Sequence, residues 1–307
     1  MRVIKTLDEL NSVQLPPSVV ALGTFDGVHL GHQNIISCAK DHATAKNLLS
    51  MVFTFSNHPL AELLPEKVPP LLLEPNDKEQ ILASLGTDIL INIPFDEQFA
   101  QLKTKEFVAL LHKCNVQAAI VGENYSYGFL GQGNVKTLKQ EAAEHNIEII
   151  VLPLLTLEHN IVSSSNIRRL IHDGQIELAN KMLGREYALS GIVTKGDQRG
   201  RLIGYPTANL VLTNTPYTLP QSGVYAGHVL YNKVNYKALV NVGTNPTFNN
   251  KELRLEAHLL HFDEDIYAKT VRVALSAFVR EERTFASVRE LKKQIITDQD
   301  KIELILK

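Results

Sequence analysis

The chain has 307 residues, which suits two domains of ordinary size better than one core. Apolar residues make up 44% and charged residues 21%, a globular rather than a disordered balance. A net charge of −2 excludes a global basic field for nucleic acid, though a few oriented backbone amides still suffice for a local phosphate site.

The first half alternates strand and helix patterns. Ser18 to Gly23 is a short, β-branched apolar run, and a helical pattern carrying Ile35, Ile36 and Ala39 follows Gly31. Leu48 to Phe55 predicts the next strand; Pro75-Asn76-Asp77 opens a helix with Ile81, Leu82 and Leu85 on one side. Asp88 to Ile93 predicts a strand, and Thr104 is placed as the cap of a helix with Phe107, Leu110 and Leu111 on one face. Gln117 to Gly122 and Ile147 to Leu152 complete a count of five strands. Apolar strands alternating with helices predict a doubly wound parallel α/β sheet.

The pattern changes near Gly184. Runs of β-formers then dominate: Leu189 to Thr194, Gly223 to Tyr231, Val234 to Val242, Leu253 to Phe262 and Thr270 to Phe278. They predict an all-β barrel or sandwich, and Ser287 to Leu306 returns to helical spacing. The domains are therefore expected at 1–185 and 186–307. Cys38 and Cys114 make neither a disulfide framework nor a zinc site. Residues 1–15 hold no apolar core of signal length, and Ile147 to Leu157 is interrupted by Glu148 and Pro153. The expectation is a cytoplasmic protein with neither a membrane nor a nucleic-acid partner.

The string Gly23-Thr24-Phe25-Asp26-Gly27-Val28-His29-Leu30-Gly31-His32 follows the first strand. Glycines there allow close backbone approach, and the helix that follows turns its amides toward a crevice suited to phosphate. His29 and His32 are three apart, so a helical start puts both on one side, where imidazoles donate to phosphate oxygens. The bland alternative is a glycine turn with two solvent-facing histidines. No GxxxxGK[ST] string is present, which removes a Walker-type loop. Farther on, Ser163, Ser164 and Ser165 precede a helical segment with Arg168 in its first turn, either a phosphate site or a plain capped helix.

In the second half, Gly191 to Asn209 holds four glycines beyond residue 195 or at its start and the cations Lys195, Arg199 and Arg201, composition suited to a lid over an anion, with Gly196 in the loop. An ordinary basic hairpin loop is the alternative. Thr207 and Asn209 alternate along an extended run, so a hydroxyl and an amide oxygen face the same way, hard ligands for Mg²⁺ beside ATP phosphates. Glu256 shares a face with Arg254 and His258, opposite Leu253, Leu255 and Leu259. That face is either simply wet, or it presents Glu256 as general base to a substrate hydroxyl.

These strings, with Thr54 to Pro59, Val121 to Gly128, Val162 to Arg168, the Asn241 to Phe248 segment and Leu255 to Leu260, resemble the prokaryotic bifunctional riboflavin kinase/FAD synthetase family over nearly the whole chain. The resemblance implies a nucleotidyltransferase domain followed by a Greek-key barrel with a C-terminal helix. It implies phosphorylation of riboflavin to FMN and adenylation of FMN to FAD, with ATP as co-substrate, Mg²⁺ as cofactor and FMN or FAD as product ligands. Gly23, Phe25, Asp26, Gly31, Asn124, Ser164, Ser165 and Arg168 would line the adenylyl-transfer site, with His29 and His32 on the ATP phosphates. Thr207 and Asn209 would meet Mg·ATP, Glu256 would take the ribityl proton, and Arg280 would border the flavin. The chain departs from the family at Ser165 and Asn166, where Thr and a first Arg are common, and at His261 and Ala268, where Asp and Gly are usual. The missing guanidinium at 166 predicts weaker hold on triphosphate. Two rivals remain at this point: an enzyme with the kinase alone active, and a flavin-binding regulator without turnover.

Overall fold

Short β-branched and apolar runs whose side chains are buried on both faces become strands of a parallel sheet. The computed structural model describes all residues except 197–199, 201–202, 213–215 and 248–249, and for 244–247 and 250–253 the backbone alone. The described residues fall into two units, Met1–Ser164 and Ser165–Lys307.

In the first unit, β1 (Arg2–Ile4), β2 (Ser18–Leu22), β3 (Leu49–Phe55), β4 (Ile89–Ile93) and β5 (Val116–Gly122) join one sheet. The strands β6 (Ser126–Tyr127) and β7 (Gly133–Asn134) form a separate ribbon, β8 (Glu148–Leu152) returns to the sheet, and β9 (Thr156–Leu157) pairs with β10 (Asn160–Ile161). The sheet order is β1-β4-β3-β2-β5-β8, and every pairing in it is parallel. It has six strands, not the expected five. The extra one, β1, pairs with β4 through Arg2, Val3 and Ile4, too short a run to carry a period of its own.

The helices are α1 (Leu7–Ser12), α2 (Leu30–Ala45), α3 (Leu60–Leu63), α4 (Pro75–Ser84), α5 (Glu97–Ala100), α6 (Thr104–Lys113) and α7 (Val135–Ala143). Successive strand residues feed opposite cores: Val20, Leu22 and Phe53 pack with Phe107, Leu111 and Leu138, whereas Val19, Ala21 and Val52 pack with Ile36, Ala39 and Leu82. Thr104 does not cap α6. Lys103 holds that position, its N–H bonded to Glu106 Oε2 at 2.7 Å, while the Thr104 hydroxyl donates to Glu141 Oε1 at 2.7 Å. A buried carboxylate outcompetes the helix end for the hydroxyl. The chain winds from β2 outward through β3 to β4, then returns to β5 on the other side of β2. The crevice of a doubly wound sheet opens at this reversal, beyond the carboxyl ends of β2 and β5.

The second unit begins with α8 (Ser164–His172) and α9 (Ile176–Leu183). A closed barrel follows: β11 (Tyr187–Thr194), β12 (Ala208–Leu212), β13 (Gly223–Tyr231), β14 (Val234–Thr247), β15 (Asn250–Leu259) and β16 (Thr270–Arg280), then α10 (Val288–Ile305). The order β11-β12-β15-β14-β13-β16 places β16 beside β13, the Greek-key return. Alternate residues such as Leu189, Val193, Tyr225, Val240, Leu255 and Val273 fill the interior. The helix α9 is tied to the barrel through Asn180, which donates to Leu275 O and accepts from Tyr187 N–H, each at 2.7 Å. Ile302 of α10 and Leu306 at its C-terminal cap pack against Ala226, Leu260 and Ala277. The pattern change near 185 thus lies at the foot of the barrel, while the division between units falls at the first residue of α8, between Ser164 and Ser165.

Candidate active sites

The first candidate site sits at the reversal of the sheet. Between β2 and α2 the backbone is left-handed at Phe25 (φ 46°), Gly27 (φ 76°) and Val28 (φ 39°). A β-branched residue rarely adopts that region, so the turn holds strain that its surroundings must resist. Three of its carbonyls are anchored by side chains. Thr24 O accepts from Thr54 Oγ1 at 2.9 Å and Lys78 Nζ at 2.8 Å, Asp26 O from Ser164 Oγ at 2.9 Å, and Val28 O from Gln33 Nε2 at 2.9 Å. Phe25 is fully buried and packs edge-on against the His32 ring.

His29 caps α2: its Nδ1 accepts the His32 N–H at 3.3 Å, which places its proton on Nε2. The His29 and His32 rings stack 3.6 Å apart and 16° from parallel, so both imidazoles do lie on one side. Gly23 lies under the Phe25 ring, and Gly31 lies against the His29 ring and Val162 O, leaving little space for a side chain at either position. Asn124, exposed at the carboxyl end of β5, has its amide oxygen close to Gly122. Beside it Tyr125 and Tyr127 stack, and the Tyr127 hydroxyl donates to buried Glu141 at 2.8 Å.

Within the first unit, Ser164 meets the Gly23 to His32 turn through Asp26 O, and Asn124 follows β5, the strand beside β2. Ser165 and Arg168 belong to the second unit, where the Arg168 charge acts on the buried Tyr187 hydroxyl. Asn166 Oδ1 accepts from Arg169 Nε and Nη2 at 3.2 and 2.8 Å. Sequence reading missed Lys78, whose ammonium also donates to Thr54 Oγ1 at 2.8 Å and Phe55 O at 3.0 Å. Burial pulls its pKa down to about 8, against the opposing pull of Asp26 and Glu79.

The second candidate site is a row across three barrel strands. Asn209 on β12 and Asn241 on β14 are both register partners of Glu256 on β15, so the three side chains share one face. Thr207 and Asn209 stand between two cavities. One, about 310 Å³, is lined by Val193, Gly196, Phe262, Asp263 and Tyr267; the other, about 490 Å³, by Asn241, Glu256, Arg280, Leu291 and Ile295. Gly196 abuts the Asn209 amide so closely that a Cβ there would overlap it. Asn241 Oδ1 is buried with no hydrogen-bond partner among the described residues, so it awaits a donor.

Arg254 bridges the row, with Nε 2.6 Å from Glu256 Oε1 and Nη2 donating to Asn209 Oδ1 at 3.3 Å. His258 joins the Pro206 carbonyl (2.7 Å) to Gln299 of α10 (3.1 Å). Arg280 faces the larger cavity but is anchored: Nε and Nη2 donate to Asp298 Oδ2 at 2.9 and 2.8 Å, and Nη1 to Glu281 O at 2.9 Å. Neither Arg254 nor Asp298 carries a signal in the sequence beyond its place on a strand face or helix. The cations Arg199 and Arg201 of the expected lid, and Phe248, lie outside the described residues. Ala268 and His261, the two family departures in this half, both adopt left-handed backbone, φ 60° and 55°. Glycine is the natural occupant of such a position. Among the described residues no three His, Cys, Asp or Glu side chains gather to hold a metal, and no helix is long and apolar enough to cross a membrane.

Two family models match the chain: FAD synthetase over residues 12–166 and riboflavin kinase over residues 183–306. A bifunctional riboflavin kinase/FMN adenylyltransferase of Bacillus subtilis is 39% identical, covering 94% of this chain and 92% of its own. The Escherichia coli K12 protein so described is 32% identical, covering 97% and 96%. A crystal structure from Streptococcus pneumoniae, described as a macrolide-efflux protein, superposes with a TM-score of 0.88 at 35% identity, over 97% of both chains.

Proposed function

Because the chain belongs to the bifunctional riboflavin kinase/FMN adenylyltransferase family, we propose that its two reactions use separate sites: FAD synthesis at the Gly23–His32 turn, and riboflavin phosphorylation at the Asn209–Glu256–Asn241 row. The enzyme phosphorylates riboflavin to FMN with ATP, and adenylates FMN with a second ATP to give FAD. One observation carries the placement of the kinase reaction. Two cavities meet at Thr207 and Asn209, and a carboxylate and an unpartnered amide oxygen stand on the wall of the larger one.

In that reading the nucleotide occupies the smaller cavity and the flavin the larger. Glu256 accepts the proton of the attacking ribityl hydroxyl, and Asn241 Oδ1 accepts a hydrogen bond from a neighbouring hydroxyl of the chain. Thr207 and Asn209 offer hard oxygens to one space, which fits Mg²⁺ entering with ATP. Bound there, the ion supplies charge neutralisation for the phosphates. At the other site His29 and His32 face the ATP phosphates, with Ser164 holding the turn. Gly23, Phe25, Asp26, Gly31 and Asn124 shape the pocket. We assign residues 1–185 to adenylyl transfer and 186–307 to the kinase. ATP and free flavin as substrates, together with two cysteines left as thiols, support a cytoplasmic location.

Incubation with riboflavin and ATP labelled at either the α or the γ phosphate tests the whole reading. The γ label is expected in FMN and, carried with the FMN phosphate, in FAD, and the α label in FAD alone. Label in FMN alone would leave one working site, and flavin binding without any transfer would make the protein a carrier.

A further inference from the structure

Lys78 lies on α4, outside every motif that the two reactions explain. Its ammonium has three protons, and each meets an acceptor: Thr24 O, Thr54 Oγ1 and Phe55 O, at 2.8, 2.8 and 3.0 Å. The Thr54 hydroxyl is itself buried and passes its own proton to Thr24 O. One cation therefore ties together the end of β3, the first turns of α4 and the residue that enters the strained turn.

The strain gives this tie a function. Phe25 and Val28 are held at φ values of 46° and 39°, conformations that relax unless the backbone is clamped. Ser164 and Gln33 donate to the carbonyls at 26 and 28, and Thr24 O receives a charge-assisted bond from the Lys78 ammonium. Thr24 O also sits directly before Phe25, where the left-handed run begins. We propose that Lys78 is a positioning residue for adenylyl transfer: it clamps the carbonyl before the strained turn and so fixes where His29 and His32 stand.

This inference rests on the assignment of the Gly23–His32 turn to FAD synthesis. The charged groups that face the ammonium are Asp26 of the turn and Glu79 of its own helix, the latter paired with Lys5 of the segment after β1 at 3.3 Å. The Lys78 proton is held less tightly than that of an exposed lysine, and it leaves as pH rises through about 8. A neutral amine then has two donors for three acceptors, and the clamp weakens.

The test compares wild type, Lys78→Met and His32→Ala in both half-reactions between pH 7 and 9.5. Lys78→Met is expected to lower kcat for FAD synthesis about 10- to 100-fold, the effect of a small displacement of reacting groups. KM for FMN and riboflavin phosphorylation by the same preparation should stay within about twofold. The wild-type FAD-synthesis rate should fall through pH 8, and the Lys78→Met rate should lose that limb. If His32→Ala suppresses FAD synthesis while Lys78→Met leaves its rate and pH profile unchanged, the clamp is refuted and the site stands. If His32→Ala has no effect either, the site assignment is what failed. Should Lys78→Met fail to fold, Thr54→Val takes its place, since it removes one of the three acceptors and the hydroxyl bond to Thr24 O; unchanged FAD synthesis in that variant would overturn the proposal.

Discussion

Removal of the Asp298 carboxylate tests how the acceptor side of the kinase site is built. Asp298 on α10 is fully buried, and its side chain receives Arg280 Nε, Arg280 Nη2 and Gln294 Nε2 at 2.9, 2.8 and 2.6 Å. The Arg280 side chain is 18% exposed, so solvent cannot fully replace the lost partner. Asp298→Ala leaves a mostly buried guanidinium without its counter-charge, a change that costs about 3–5 kcal/mol. The small remaining exposure of Arg280 puts the expected value at the lower end. For a unit of this size about 4 °C of melting temperature accompanies each kcal/mol, so the barrel should melt roughly 12 °C earlier. The α10 side chains Leu291 and Ile295 line the larger cavity, so riboflavin KM should rise while FAD synthesis from supplied FMN is spared.

The matching double variant separates the pair from the packing. Arg280→Met with Asp298→Leu removes both charges and keeps apolar volume, and should recover most of the lost stability, because a buried pair often contributes little beyond an apolar replacement. Calorimetry on wild type, Arg280→Met, Asp298→Leu and the double variant, with riboflavin titrations on each, gives the cycle. A single-variant loss under about 1 kcal/mol, or a double variant as unstable as Asp298→Ala, would show that the ion pair does not dock the helix as argued.

Glu256→Gln should lower FMN formation by about 10²–10⁴-fold, the usual effect of losing a general base, and spare FAD formation from FMN; near-normal kinase turnover would remove Glu256 from that role. Ala268→Gly should raise stability against urea by about 0.5–1 kcal/mol, since an L-residue at φ 60° carries strain that glycine does not; a loss would mean that the Ala268 methyl packs usefully. A fragment of residues 186–307 should phosphorylate riboflavin, but one starting at 165 should melt higher by circular dichroism, because it keeps the two Asn180 bonds to the barrel; equal melting would make α9 dispensable. Asn166→Arg should lower KM for ATP in FAD synthesis; superimposable rate curves would take position 166 out of the site.

Most of the fold was legible because burial on both faces writes continuous apolar runs, as in Ser18–Leu22 and Ile89–Ile93, while the barrel writes alternation, as in Leu255 to Leu259. What escaped was short or tertiary. The strand β1 spans three residues, and Lys103 rather than Thr104 caps α6 because a buried glutamate 37 residues downstream captures the hydroxyl. Lys78, Arg254, Asn241 and Asp298 are unremarkable letters on a helix or strand face. Only pairing across elements shows that one donates to the carbonyl before a strained turn, another bridges a carboxylate to an amide, and a third has an amide oxygen with no partner among the described residues. The family departures at His261 and Ala268 were visible as letters, but the left-handed backbone that gives them a physical meaning was not.

The two sites differ in how they hold their geometry, and that difference governs how each will respond to mutation. The proposed adenylyl-transfer site is a contiguous strained turn, stabilised by side chains that reach its carbonyls from β3, α4, α2 and Ser164. Each tie is replaceable by backbone relaxation, so losing one should misplace His29 and His32 without unfolding the unit. The proposed kinase site has no such turn among the described residues. Asn209, Glu256 and Asn241 are aligned by strand register, and register in a closed barrel cannot shift for one residue alone. Substitutions in that row should therefore change chemistry with little movement, whereas substitutions that disturb its covers, the Arg280–Asp298 pair or the Gly196 contact with Asn209, should act through binding. A survey of single variants in both half-reactions would separate the two behaviours: kcat losses with intact melting around the turn and in the row, against KM changes coupled to stability under α10.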